Sequence, residues 1–127
     1  MDPFDGWGTH PFCYLTTTGR RSGRPHRIEI WFVVHDGAAW LLTERAPEAD
    51  WARNLRADPA VTLEIGDWVG PATAAAHDDL APDAPVRDAL AARYQASYGP
   101  EDLRPWARTA LAVRVQPVSG SAGASAR

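Results

Sequence analysis

The sequence predicts a mainly β fold, a small antiparallel barrel with two helices. Three observations support it. Several short segments alternate apolar and polar residues, turn residues such as Asp36-Gly37 separate them, and only two segments have helical spacing. The chain has 127 residues, 45% of them hydrophobic, which suffices for one core. We therefore expect a single domain, residues 1–117, followed by a disordered C-terminal tail, residues 118–127.

Three strands are predicted in the first half of the chain. Residues 12–18 alternate and are rich in aromatic and β-branched side chains, and residues 26–35 form the clearest strand pattern. One face of that second strand is apolar and is expected to pack in the core; it carries Ile28, Ile30, Phe32 and Val34. The other face is mixed, which suits the lining of a pocket or contact with a partner subunit. A glycine-containing turn, residues 19–25, joins the two strands, and the Asp36-Gly37 turn leads to the third, residues 38–43.

The second half of the chain adds two helices and three strands. The first helix is expected to begin near Pro47 or Asp50 and to end at Asp58-Pro59, with Trp51 and Leu55 on one face. The second helix is expected to end before Gly99-Pro100, and the fifth strand to be irregular at a glycine and a proline. The expected ranges are 61–65, 68–76 and 110–115 for the strands and 86–98 for the second helix.

Composition excludes several classes of protein. The formal net charge of -3 argues against a general nucleic-acid binder, which usually carries a basic surplus on one face. All thirteen basic residues are arginine, so Schiff-base chemistry and a phosphate-loop lysine are both excluded. The single cysteine, Cys13, lies in an apolar strand pattern and is expected to be a buried, inert thiol.

No metal site, leader or membrane segment is expected. The four histidines show no metal-binding spacing, and no apolar run approaches the length of a membrane span. The N-terminus lacks the pattern of a signal peptide, so we expect a cytoplasmic protein. The neighbouring Asp78 and Asp79 are expected to form a solvated acidic turn.

The turn after the first strand is the most informative segment for function. Four of the thirteen arginines fall within eight positions, and threonines, a serine and two glycines surround them. Guanidinium groups, hydroxyls and glycine-exposed backbone N–H groups are the donors that bind phosphate. A solvated hairpin with exposed arginines is the alternative. The four arginines are Arg20, Arg21, Arg24 and Arg27.

No residue pattern supplies a catalytic nucleophile, and no dinucleotide-binding glycine motif follows a strand. If the protein is an enzyme, a bound organic cofactor is therefore expected to carry the chemistry. Trp31, on the mixed strand face, is a candidate for stacking on a flat ring. A carrier of a cofactor or apolar ligand without turnover remains an alternative, because these features do not require a reaction.

Two strings in the sequence resemble a known family. TTGRRSGRP, residues 17–25, and WARNLRADP, residues 51–59, together resemble the deazaflavin-dependent nitroreductase family of the flavin/deazaflavin oxidoreductases. The resemblance implies a split β-barrel like that of FMN-binding proteins. It also implies coenzyme F-420 as the cofactor, with FMN as the alternative, and a small-molecule electron acceptor such as a quinone, enone or nitro compound. Such barrels often pair, so a homodimer is expected.

The resemblance also implies a set of site residues. Arg20, Arg21 and Ser22 match the turn that meets the cofactor's phosphate and tail, and His26 matches a polar residue facing the cofactor. Trp31 matches an aromatic residue of the substrate pocket. The segment that passes beside the deazaflavin ring corresponds to Leu42, Thr43, Glu44 and Arg45. The start of the helix that closes the cofactor groove corresponds to Trp51, Arg53 and Asn54.

The proton donor stays open between solvent, Tyr98 and His26. Glu44 is a departure from the family pattern, since it brings a carboxylate near the ring where relatives often have small residues.

Overall fold

The computed structural model of the protein describes residues 10–118 and the pair Ala124–Ser125. Within this part, eight strands form one antiparallel sheet, accompanied by three helices. The mainly β prediction is confirmed. The strands are β1 (Cys13–Thr18), β2 (Pro25–Ile30), β3 (Val33–His35), β4 (Ala38–Thr43), β5 (Ala60–Ile65), β6 (Trp68–His77), β7 (Leu111–Pro117) and β8 (Ala124–Ser125). The helices are α1 (Asp50–Ala57), α2 (Pro85–Tyr98) and α3 (Arg104–Thr109).

The sheet curls into a barrel because the chain joins its two ends. The strand order is β2-β1-β5-β6-β7-β4-β3, with β8 attached to β6. β2 and β3 are therefore the outermost strands, yet only Trp31 and Phe32 separate them in sequence. Consecutive Cα atoms are about 3.8 Å apart. The end of β2 must consequently lie close to the start of β3, and a flat sheet cannot satisfy that constraint.

A bend at Trp31 and Phe32 divides what the sequence predicts as one strand. The prediction of a single strand over residues 26–35 is wrong, and the reason lies in helix α2. The Phe32 N–H donates to the Tyr94 hydroxyl oxygen at 3.1 Å, while Arg93 donates to the Phe32 carbonyl at 2.6 Å. The same Tyr94 hydroxyl lies 2.8 Å from the Pro11 carbonyl. Side chains of α2 thus replace the ladder hydrogen bonds that a continuous strand would make.

Two hydrophobic clusters pack on the two faces of the sheet. The inner cluster fills the barrel and includes Leu15, Phe32 and Leu41, with Ile28, Ile30 and Val34 packed against it. The outer cluster lies between the sheet and helices α2 and α3, and Trp31 and Val33 pack against it. The predicted alternation of faces along residues 26–35 is therefore confirmed on both sides of the bend.

The remaining differences from the sequence predictions are local. Helix α3 was not predicted, because six residues that include Pro105 are too short to show helical periodicity. The predicted irregularity in the fifth strand is absent, since β6 is continuous through Gly70 and Pro71. Pro71 lies one residue before Ala72, where the ladder between β6 and β7 begins. Most of the tail predicted to be disordered lies outside the described residues, while Ala124–Ser125 pairs with β6.

None of the helices in the described part of the chain is long and apolar enough to cross a membrane.

Replacing Tyr94 by phenylalanine is expected to lower the free energy of unfolding by about 1–3 kcal/mol. The change leaves the buried Phe32 N–H without its acceptor and removes the contact to Pro11. Urea unfolding measures this loss. Tyr98→Phe is the matched control, because Tyr98 is 51% exposed and its hydroxyl has no hydrogen bond within the described residues. Equal stability of the two variants would contradict the role given to the Tyr94 hydroxyl.

Candidate functional site

The turn between β1 and β2 is tightly closed on itself. The Gly19 N–H donates to the Arg24 carbonyl, and the Gly23 N–H donates to the Gly19 carbonyl, both at 2.8 Å. A Cβ at Gly19 would lie 2.7 Å from the Ser22 hydroxyl and 2.8 Å from His26 Nε2. Glycine is therefore required at position 19 so that these two polar side chains can lie over the backbone of the turn.

Helix α1 binds this turn through one buried amide. Asn54 is 2% exposed, and its Oδ1 accepts from the Arg20 backbone N–H at 3.2 Å and from the Arg20 guanidinium at 2.9 Å. Its Nδ2 donates to the Thr17 hydroxyl at 3.2 Å. Arg20 also forms an ion pair of 3.3 Å with Asp50. Arg20 and Asn54 thus fix the turn against the first two turns of α1.

A cavity of about 250 Å³ lies at this junction, and we call it the turn pocket. It unites residues from the β1–β2 turn with the start of α1. Most of its lining residues were predicted from the sequence to bind a cofactor. Asp50 was not among them, because the sequence suggested for Asp50 only a position at the start of the first helix. The pocket is lined by Gly19, Arg20, Arg21, Ser22, His26, Asp50 and Asn54.

Three arginines of the β1–β2 turn and of α1 make no charge pair within the described residues, and one of them, Arg21, lines the turn pocket. Arg21, Arg24 and Arg53 are exposed, and their guanidinium groups have no hydrogen bond or ion pair to any residue that the structure describes. In contrast, Arg56, Arg104 and Arg108 each pair with a carboxylate. Unpaired guanidinium groups beside a polar cavity attract an anion, and phosphate or carboxylate oxygens suit their geometry.

One edge of β2 carries no partner strand in the described part of the chain. Residues 44–49, which we call the connecting segment, join β4 to α1. In the described part of the chain, β2 pairs only with β1, so its other edge makes no ladder. β4 pairs with β3 and β7 instead, and its last pair is Thr43 with Leu111. We call the space along this unpaired edge of β2, from the turn pocket to the bend at Trp31 and Phe32, the groove.

The profile of the family described as F420H(2)-dependent quinone reductase matches residues 5–117 of this chain. The chain belongs to this family. The resemblance to deazaflavin-dependent reductases is thereby confirmed. No curated protein matches the chain.

Solved structures support the fold of this quinone reductase family member. The heme storage protein HutZ from Vibrio cholerae aligns with a TM-score of 0.65 and 19% identity, over 92% of this chain and 89% of that one. An F420-H2 dependent reductase, FDR-A, aligns with a TM-score of 0.59 and 23% identity, over 84% and 94%. A structure described as a domain-swapped dimer aligns with a TM-score of 0.59 and 23% identity, over 84% and 80%. These similarities establish the split β-barrel.

Aromatic residues of the family member cluster at the bend, where Trp31 packs against the outer cluster. Trp31 stacks on Tyr94 with ring centroids 4.5 Å apart and planes 5° apart, and Tyr98 meets Trp31 edge-on at 6.0 Å. His26 lies in the turn pocket, near the start of β2, whereas Trp31 directly follows the end of β2. At about 3.3 Å per residue, roughly 16 Å of chain separates the two positions. The two candidate proton donors, His26 and Tyr98, therefore lie near opposite ends of β2.

The residues predicted to lie beside the ring have different environments. Leu42 is 5% exposed and packs in the outer cluster, away from the barrel interior. Thr43 is half-buried and, by alternation, lies on the inner face with Leu41. Glu44 accepts from Trp106 Nε1 at 3.0 Å, and Arg45 donates to the Thr109 carbonyl at 2.5 Å. Thr43 is consequently the member of this segment that lies on the inner face of the sheet, and Trp51, from α1, packs against the inner cluster.

Arg27 is not brought to the turn pocket. It lies on the outer face of the sheet, where it donates to both Glu64 oxygens at 2.9 and 3.2 Å. Its guanidinium also lies 3.9 Å from the centroid of the Tyr14 ring. Its charge is therefore satisfied by the protein, unlike that of Arg21 and Arg24.

Other reactive groups are not placed for chemistry. Cys13 is fully buried in the inner cluster, and burial raises the pKa of its thiol to about 12, so it stays protonated at neutral pH. Within residues 10–118, no group of three or more His, Cys, Asp or Glu side chains converges on a point that could hold a metal ion.

Proposed function

We propose that the protein binds coenzyme F-420 in the groove beside β2 and catalyses reduction of an electron-poor small molecule, such as a quinone, enone or nitro compound. The observation that carries the proposal is the guanidinium group of Arg21, which lines the turn pocket without a partner among the described residues, in a chain that belongs to an F420H(2)-dependent family. When bound, the reduced deazaflavin supplies a hydride from its C5 position.

The turn pocket would hold the anionic part of the cofactor. Arg21, Arg24 and Arg53 offer charge-assisted hydrogen bonds, and the Ser22 hydroxyl adds a neutral donor. Arg24 in the same turn and Arg53 in α1 add two guanidinium groups that have no partner among the described residues, which favours a ligand with several anionic groups. The residues fit F-420, with its phosphate and glutamate tail, better than they fit FMN.

The other end of the groove would orient the ring and the acceptor. Trp31 and Tyr98 supply flat apolar surface at the bend, and the exposed Tyr98 hydroxyl is free to donate a proton there. His26 lies in the turn pocket and is suited to contact the anionic tail. We therefore assign proton donation to Tyr98 or solvent and not to His26. The protein contributes placement and electrostatics, and no side chain needs to form a covalent bond.

The test is a tryptophan-fluorescence titration of the full chain with F-420 and, separately, with FMN, followed by oxidation of reduced F-420 in the presence of a panel of acceptors. We expect saturable binding of F-420, weaker binding of FMN, and turnover with at least one acceptor. Tighter binding of FMN than of F-420 would identify FMN as the cofactor. Tight binding of F-420 without turnover of any acceptor would identify the protein as a carrier. No binding of either would refute the proposal.

We also propose that the protein works as a homodimer in the cytoplasm. A structural neighbour described as a domain-swapped dimer supports the association. Sedimentation of the sample used for titration measures the oligomeric state, and a monomer at all concentrations would contradict it.

A further inference from the structure

Asp78, which directly follows β6, binds the connecting segment directly at Arg45 and indirectly, through Arg56, at Glu48. Its carboxylate accepts a bidentate pair of hydrogen bonds from Arg56, at 2.6 and 3.0 Å. The same guanidinium donates from Nε to Glu48 at 2.8 Å, and Glu48 belongs to the connecting segment. The carboxylate of Asp78 therefore holds Arg56 in the orientation that binds Glu48.

The backbone of Asp78 binds the other end of the segment. Its carbonyl oxygen accepts from Arg45 Nη2 at 3.3 Å, and Arg45 also donates to the Thr109 carbonyl at the end of α3. Arg45 and Glu48 are thus both connected to one residue of the β6–α2 loop. The sequence prediction of a solvated acidic turn describes Asp79, which has no hydrogen bond or ion pair within the described residues, but not Asp78.

We propose that Asp78 is a positioning residue that fixes the connecting segment, residues 44–49, at the edge of the groove and so sets the shape of the site. This inference rests on the proposed function, because the segment matters to activity only if the cofactor lies beside it. A single exposed ion pair contributes little, but a bidentate pair shared within a network of charges is the exception. Arg56 lowers the pKa of the Asp78 carboxyl, so the group is ionised at neutral pH.

The test compares Asp78→Asn with Asp79→Asn. Asparagine keeps the shape of the side chain but removes the charge and one of its two acceptor oxygens. Hydrogen exchange of the backbone amides in residues 44–49, measured on the protein without cofactor, is expected to be about two- to fivefold faster in Asp78→Asn and unchanged in Asp79→Asn. Asp78→Glu, which restores the carboxylate, is expected to recover slower exchange.

Titration with F-420 then tests the link to the site. We expect the Kd to rise by a similar factor in Asp78→Asn, with no change in urea unfolding. Unchanged exchange in residues 44–49, or unchanged F-420 affinity despite faster exchange, would overturn the inference. If the wild-type protein itself does not bind F-420, the proposed function is refuted. Asp78 then has no role at a cofactor site, even if amide exchange in residues 44–49 is faster in Asp78→Asn.

Discussion

Replacing Arg21 and Arg24 together by glutamine is expected to weaken F-420 binding by about a hundredfold, with little change in stability. Each residue supplies a charge-assisted hydrogen bond to an anion, and about 1.4 kcal/mol for each, near the lower end of the range for such bonds, corresponds to a tenfold change in Kd. Because neither guanidinium has a partner within the described residues, the folded protein loses no internal contact. Fluorescence titration at low and high salt measures both the loss and its smaller salt dependence.

Arg114→Gln provides the control. Arg114 also lacks a hydrogen bond or ion pair within the described residues, but it belongs to β7 and not to the β1–β2 turn. Its replacement removes one positive charge and should leave the Kd unchanged. Equal effects of the control and the double variant would show that overall charge, and not the turn, attracts the ligand.

Arg20 is expected to behave differently from its neighbours. Its guanidinium is bound to Asn54 and Asp50, so Arg20→Gln should lower the melting temperature as well as the affinity. The sequence alone could not separate Arg20 from Arg21, because both stand in the same basic string.

Replacing Arg87 by methionine is expected to lower the free energy of unfolding by about 3–5 kcal/mol. Arg87 is fully buried, and within the described residues it has no carboxylate partner. It donates to four backbone carbonyls, which join the β6–α2 loop to the end of α3: Leu80, Ala81, Ala107 and Ala110. Methionine fills similar space but leaves these buried acceptors without donors.

Urea unfolding of Arg87→Met and Arg87→Lys measures this effect. Lysine keeps a charged donor but lacks the planar geometry that reaches four carbonyls, so its loss of stability should be intermediate. Arg104→Met is the control, because Arg104 is exposed and, among the described residues, its side chain pairs with Asp102 alone. If Arg87→Met were as stable as the control, the carbonyl contacts of Arg87 would not hold the loop and α3 together.

Local pattern was sufficient to predict most of the strands, two of the helices and the turn. Alternation along residues 26–35 assigned the correct residues to each face, because a side-chain period of two persists on both sides of the bend. The glycine-flanked arginines marked the turn pocket, since residue type alone indicates which side chains can bind an anion.

The bend in that strand could not be predicted, because its cause is distant in sequence. Phe32 leaves the ladder where Tyr94 and Arg93, more than sixty positions away, bind its backbone. Arg27 shows the same limitation, since its membership of the basic string gave no sign that Glu64 neutralises it.

The sequence by itself determined a mainly β domain with a cluster of arginines suited to an anion, because secondary structure and donor chemistry depend on neighbouring residues. Only the tertiary structure decided which arginines are unpaired, which edge of β2 has no partner strand, and that His26 and Tyr98 lie near opposite ends of β2. These properties depend on contacts between elements far apart in the chain. The partners of each arginine and the position of the unpaired edge of β2 are therefore set only when the sheet has closed.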